Sequence, residues 1–194
     1  MHGKKINIFL LILFIIPLLS FGSRGLGRSL DDGVKGFDST KCSGYHFFKN
    51  KGITFDSTSN LSLYNELYTW LGVPYVYGGR SKSGTDCSGF AGAIYKAIYS
   101  ISLPGGAQNI YKVLIPLKKD ELKEGDLVFF KINHYYISHV GIYLANNKFI
   151  HATSWGKSIT ISDLSEPYYT RYFFSGGRYE KKTEPTSGSG SPVK

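Results

Sequence analysis

Cysteine is scarce in this chain, with two in 194 residues, Cys42 and Cys87. A scaffold held by several disulfides is excluded, and at most one bond could close within the chain. Acidic residues are outnumbered, 14 against 23 lysines and arginines, leaving a formal charge of +9. Such a surface is drawn to polyanions, or serves solubility alone. The basic residues are scattered and build no arginine-rich helix, so nucleic acid is not an expected partner. The longest apolar stretch lies within residues 6–22 and includes Pro17, which is short for a membrane-spanning helix. No internal repeat is evident, and the length suits one domain with extensions.

What is present is a hydrophobic fraction of 42%, rich in Tyr (15) and Phe (13), ample for a core and suited to strands. Lys4 and Lys5 precede the apolar run, and the small residues Ser20 and Gly22 follow it. This order predicts a secretory signal over residues 1–22, and so an exported protein of the periplasm, cell envelope or extracellular space. An uncleaved anchor is the alternative. No cysteine closes the apolar run, and Cys42 lies too far downstream for lipid attachment there. Residues 23–58 are rich in Gly, Ser, Asp and Lys and read as a linker or N-terminal extension, with one local structured piece near 45–48. Residues 59–180 form the expected domain. Residues 181–194 read as a disordered tail.

Within the domain, Ser59 or Asn60 can cap a helix over 61–71, with Leu63, Leu67 and Trp70 or Leu71 at helical spacing. Gly72 ends it, and Val73-Pro74 starts an extended segment. A second helix begins near Cys87 and runs to about Tyr99. A short one is expected over 108–113. The period then changes. Stretches 126–132, 139–144, 148–153, 157–162 and 172–179 read as strands, and Asn146-Asn147 is a hairpin turn signal. Helices first and antiparallel strands afterwards define an α+β domain with a sheet of about five strands.

Cys87 stands at a helix start, where unpaired N–H groups and the positive dipole end favour thiolate over thiol. Such sites can lower a cysteine pKa from ~8.5 to ~3.5–7.5. The sequence therefore predicts a reactive, acidic thiol. The alternative is a small buried apolar residue. Histidines follow on strand-like segments, His139 in Ser138-His139-Val140-Gly141 and His151 in Ile150-His151-Ala152. A thiol, a histidine to activate it and a polar group to orient that histidine make a cysteine-hydrolase arrangement. Each histidine alone could equally be a core residue, and with Cys87 the pair could suggest zinc. The helix-start cysteine favours a nucleophile over a metal ligand, and no metal or cofactor is expected.

The chain resembles the NlpC-type cell-wall peptidases, papain-like enzymes that cut peptidoglycan stem peptides. The resemblance rests on Gly72-Val73-Pro74-Tyr75-Val76-Tyr77-Gly78-Gly79 and Asp86-Cys87-Ser88-Gly89-Phe90. It continues through Leu122-Lys123-Glu124-Gly125-Asp126-Leu127-Val128-Phe129-Phe130, His139-Val140-Gly141-Ile142-Tyr143-Leu144 and Phe149-Ile150-His151-Ala152. These stretches keep the family's order and cover about residues 60–180. The resemblance implies a papain-like fold with Cys87 as nucleophile, His139 as general base and His151 as its orienter. Tyr75 would bind substrate or stabilise the oxyanion. Asp86 and Ser88 would line the pocket for the substrate's amino end, or simply cap the helix. Gln108 matches a recurring family glutamine of unclear role. The implied reaction is hydrolysis of the bond between D-glutamate and the diamino acid, through a thioester on Cys87. The partners are then peptidoglycan stem peptides, in association with the cell envelope.

Other readings of the same residues are an acyltransferase or amidase on another small amide, and a wall-binding module without turnover. The chain departs from the family in two places. Gly105 follows Pro104 where arginine is common, and the aromatic insertion Asn133-His134-Tyr135-Tyr136-Ile137 suggests a lid or a sugar-stacking rim. A Cys42–Cys87 disulfide would block the nucleophile, so Cys42 is read as a lone thiol. Accordingly, Cys42→Ala is expected to leave turnover and non-reducing mobility unchanged. A large loss of activity would show that Cys42 has a role in the site.

Overall fold

The computed structural model describes residues 43–180. Cys42, the expected signal over 1–22, most of the expected linker and the expected tail over 181–194 lie outside them.

The described chain begins with helix α1, Ser43–Asn50. Its Gly44 lies against the next helix so closely that a Cβ there would stand 2.7 Å from the Tyr64 carbonyl oxygen. Phe48 is fully buried and Ile53 nearly so. The structured piece expected near 45–48 is this helix, and it is packed into the domain and not free as a linker would be. A helix of two turns is marginal alone, and packing against its neighbour makes α1 part of the domain. Helix α2 spans Leu61–Trp70. The Asn60 side chain accepts from the Leu63 N–H at 3.1 Å, and the Asn60 N–H donates to Glu124 at 2.7 Å. Leu63, Tyr64, Leu67 and Trp70 form its buried face.

A small hairpin, β1 (Arg80–Ser81) and β2 (Gly84–Thr85), leads into helix α3, Cys87–Tyr99. Phe90, Ala91, Ile94 and Tyr95 are the inward residues of α3. Gly89 is required by contact: a Cβ there would overlap the Gly79 carbonyl oxygen. Helix α4 follows over Ala107–Lys112.

Six antiparallel strands come next: β3 (Ile115–Leu117), β4 (Leu127–Phe130), β5 (His139–Tyr143), β6 (Lys148–Thr153), β7 (Ser158–Asp163) and β8 (Phe173–Arg178). Their order in the sheet is β3-β8-β4-β5-β6-β7. Helix α5, Pro167–Tyr172, joins β7 to β8. The expected five-strand sheet gains β3, which pairs only with β8. Its central Pro116 removes a ladder donor, which a sheet tolerates at an edge. Asn146 and Asn147 both take positive φ at the β5–β6 turn, as that dipeptide suggests.

The alternation of the strands sorts residues between two faces. Val140, Ile142, Ile150 and Ala152 join the core with α2 and α3. Val128, Phe130, Phe149 and Leu164 form a second cluster, with Tyr169 and Tyr172 of α5 packed on it. His139 pairs in register with Phe130, and its ring lies 5.8 Å from that phenyl ring. The His151 ring is 4.7 Å from Phe149. The period of two thus delivers both histidines to one face. Arg178 closes the β4–β8 end, donating to both carboxylate oxygens of buried Asp126 at 2.8 and 2.7 Å.

Since α1 belongs to the core, Phe48→Ala is expected to destabilise the domain by ~3–5 kcal/mol. Urea unfolding followed by far-UV dichroism would measure it. An unchanged midpoint would return α1 to the status of an appendage.

Candidate active site

Asp86 is the N-cap of α3. One carboxylate oxygen accepts from the Gly89 N–H at 2.7 Å and from the Ser88 hydroxyl at 2.8 Å. The other accepts from the Gly78 N–H at 3.0 Å. Asp86 thus caps α3, and Ser88 bonds to the cap.

Tyr75 is held by its backbone. Its N–H donates to the Lys157 carbonyl at 2.9 Å, and the flanking residues bond to Thr85. Its phenol faces a cleft of about 720 Å³, which Cys87, His139 and His151 also line. Burial first, then the neighbouring ionisable Cys87 and Asp86, raise the Tyr75 pKa, so the phenol remains a donor.

Cys87 is 8% exposed. Its sulfur faces the backbone N–H groups of Val140, Ser88 and Cys87 itself, which favour thiolate. Burial outweighs them, with Asp86 adding to it, and pushes the thiol up to about 11. This corrects the acidic thiol expected from a helix start. The dipole argument holds for a partly exposed sulfur, whereas this one is desolvated in the resting site. Burial likewise holds His139 down to about 4, against the pull of Asp86. It lowers His151 well below the ordinary value, with the charge of His139 adding to the effect. Burial thus favours the uncharged forms of the thiol and of both imidazoles.

His139 Nε2 meets His151 Nδ1 at 2.6 Å, with the rings nearly perpendicular at 79°. Beyond them, His151 Nε2 lies 3.1 Å from the Ser162 hydroxyl and 3.4 Å from the Tyr169 hydroxyl. Ser162 Oγ is 3.2 Å from Tyr169 Oη. With Nε2 engaged, His139 has only Nδ1 left for exchange with the thiol.

Sequence reasoning missed Ser162, Tyr169 and the rim residues Trp155 and Tyr168. A signal for the first existed. Ser158-Ile159-Thr160-Ile161-Ser162 alternates polar and apolar, and Thr160 pairs in register with His151. The hydroxyl face of β7 is thus the histidine face. His134 stacks on Tyr136 at 4.6 Å and lines the cleft with Asn133. Gln108 gains a role: its side-chain oxygen accepts from the Ile137 N–H at 2.9 Å, anchoring the end of the aromatic insertion. At the Gly105 departure, a Cβ would stand 2.7 Å from the Arg80 guanidinium, which fills that space. Among the described residues, no group of three or more His, Cys, Asp or Glu is set to hold a metal ion.

Comparison with known proteins matches residues 72–178 to the NlpC/P60 family. The chain is 39% identical over 118 residues to the murein DD-endopeptidase MepH of Escherichia coli, covering 59% of this chain and 44% of that protein. It is 43% identical over 105 residues to a gamma-D-glutamyl-L-lysine dipeptidyl-peptidase of Bacillus subtilis, covering 53% and 35%. A lipoprotein-like NLP/P60-family structure from Staphylococcus aureus superposes with a TM-score of 0.58 at 33% identity, covering 66% and 44%. The match therefore spans about half or less of these relatives' own length.

The buried imidazoles make stability depend on pH. A histidine with a depressed folded pKa contributes stability that is fully present above its unfolded value of ~6.5 and is lost as pH falls through the folded value. For His139 that value is about 4. Thermal midpoints should therefore drop between pH 6.5 and 5, at up to ~1.4 kcal/mol per pH unit for each imidazole. His151→Asn should flatten the slope. A wild-type midpoint constant over this window would show that the imidazoles are not held neutral.

Proposed function

The chain belongs to the NlpC/P60 family, and on that premise we propose that it is an exported cysteine endopeptidase acting on peptidoglycan stem peptides. The observation that carries this reading is the site itself. Cys87 at the start of α3 shares a cleft with His139, whose far nitrogen is held by His151 at 2.6 Å.

His139 Nδ1 takes the proton of the Cys87 thiol as the sulfur attacks the scissile carbonyl carbon. The thiol–imidazole pair holds the same number of protons before and after the transfer, so the step needs no proton from solvent. The oxyanion receives the Cys87 N–H and the Tyr75 phenol. Collapse breaks the C–N bond, and the His139 proton goes to the leaving amine. The acyl group remains as a thioester. Water, deprotonated by the same imidazole, attacks it and releases the acid with the thiol restored.

The preferred bond is that between D-glutamate and the diamino acid. The name of the Bacillus subtilis relative supports it, while the Escherichia coli relative is named for a DD bond. Export is supported by the basic-then-apolar order of residues 1–22 and by the location of peptidoglycan outside the membrane. The formal charge of +9 suits a polyanionic wall.

Purified muropeptides digested with the protein and weighed by mass spectrometry test the reading and the bond together. Fragments split after D-glutamate are expected, with Cys87→Ala and Cys87→Ser inactive yet unchanged in thermal midpoint. Wild-type turnover by Cys87→Ala would overturn the thiol mechanism. Fragments split at the DD crosslink would move the scissile bond. Intact muropeptides bound without cleavage would favour a binding module.

A further inference from the structure

We propose that Ser162, backed by Tyr169, is a positioning residue that sets the tautomer of His151 and, through it, makes His139 able to accept the Cys87 proton. The inference rests on the thiol-peptidase reading above and concerns residues beyond its three central groups.

A neutral imidazole carries one proton on two nitrogens. At 2.6 Å the contact between His139 Nε2 and His151 Nδ1 holds one proton; two would clash, and none would leave facing lone pairs. Two arrangements remain. In the first, His139 Nε2–H donates to His151 Nδ1. His139 Nδ1 is then bare and can act as a base, while His151 carries its proton on Nε2. In the second, His151 Nδ1–H donates to His139 Nε2. His139 then carries its proton on Nδ1 and cannot accept another from the thiol. The two differ in nothing but proton placement, yet only the first can start the reaction.

The surroundings decide between them. In the first arrangement His151 Nε2–H needs an acceptor, and the ring is 1% exposed, so water is not at hand. Ser162 Oγ stands at 3.1 Å. Its own proton has an outlet in Tyr169 Oη at 3.2 Å, which leaves a serine lone pair for His151. At the other end, Cys87 and His139 line one cleft, and a thiol can give its proton only to a bare His139 Nδ1. One direction of donation meets both needs: His139 to His151, His151 to Ser162, Ser162 to Tyr169. The same His151 tautomer is required once His139 becomes imidazolium, because its Nε2–H must still find an acceptor. Ser162 thus supports the resting and the charged states alike.

The prediction separates this role from packing. Ser162→Ala should lower kcat about tenfold, the kinetic equivalent of one lost hydrogen bond, with KM little changed. Ser162→Thr, which keeps the hydroxyl, should recover most of the loss. In a His151→Asn background, Ser162→Ala should have no further effect, since an amide oxygen accepts from His139 without a tautomer to choose. Imidazole nitrogen NMR of the wild type should show both His139 and His151 as Nε2–H tautomers, and Ser162→Ala should mix the His151 signal. Wild-type His139 found as the Nδ1–H tautomer would overturn the proposal. So would an equal loss from Ser162→Ala in both backgrounds, or none in the first. Turnover retained by Cys87→Ala would instead sink the thiol reading, and the NMR tautomers would still judge the Ser162 role separately.

Discussion

The Asp86 carboxylate is the constraint on which the site depends. It sits where three segments meet and accepts from Gly78, Ser88 and Gly89. One set of bonds therefore ends the loop that carries Tyr75, starts the helix that carries Cys87 and fixes the angle between them. A charged acceptor makes these bonds stronger than neutral ones. The required absence of a Cβ at Gly89 lets the loop and the helix approach closely enough for them to form. The capping residue is thus also the spacer between the phenol and the thiol.

The histidines are placed by a different device. Strand alternation turns them to the face of Phe130 and Phe149, while their neighbours Val140 and Ala152 fill the core beneath α3. The aromatic cluster excludes water, which keeps the imidazoles neutral and their hydrogen bonds short. On the other side of the sheet, burial in the core beneath α3 raises the thiol. Burial therefore acts on both partners in the same sense: it favours the uncharged imidazole and the uncharged thiol.

Much of this was legible in the sequence, and the parts that were not share a cause. α2, α3 and the strands β4 to β7 have strong periods, so their positions follow from local pattern, and Cys87, His139, His151 and Tyr75 come together in one cleft as their motifs imply. α1 is too short for a period, so the sequence marks only a structured piece near 45–48, and the burial of Phe48 makes it part of the domain. β3 hides behind Pro116, and no element is expected over α5, only its last residue Tyr172 falling in the strand expected over 172–179. Ser162 and Tyr169 meet His151 only because β7 pairs with β6 and α5 folds back over both, a juxtaposition no local pattern contains. The ionisation of Cys87 escaped for the same reason. A helix start is visible in sequence, but the burial that overrides its dipole is a property of the assembled fold.

The loop that presents Tyr75 also has a structural duty at the margin of the sheet. β7 is the last strand in the order, and an open strand edge invites pairing with other molecules. Here the Ile159 N–H donates to the Val73 carbonyl at 2.9 Å, the Gly72 N–H to the Ile159 carbonyl at 3.1 Å, and Pro74 bridges Ser158. The segment that faces the substrate is therefore also the selvedge that keeps the sheet from unravelling into its neighbours. Variation in this loop is limited on two fronts, because a change that reshapes recognition also risks baring a sticky margin. Trp155, in the β6–β7 turn beside this loop, is 95% exposed and forms none of these edge bonds, so it can vary without baring the margin.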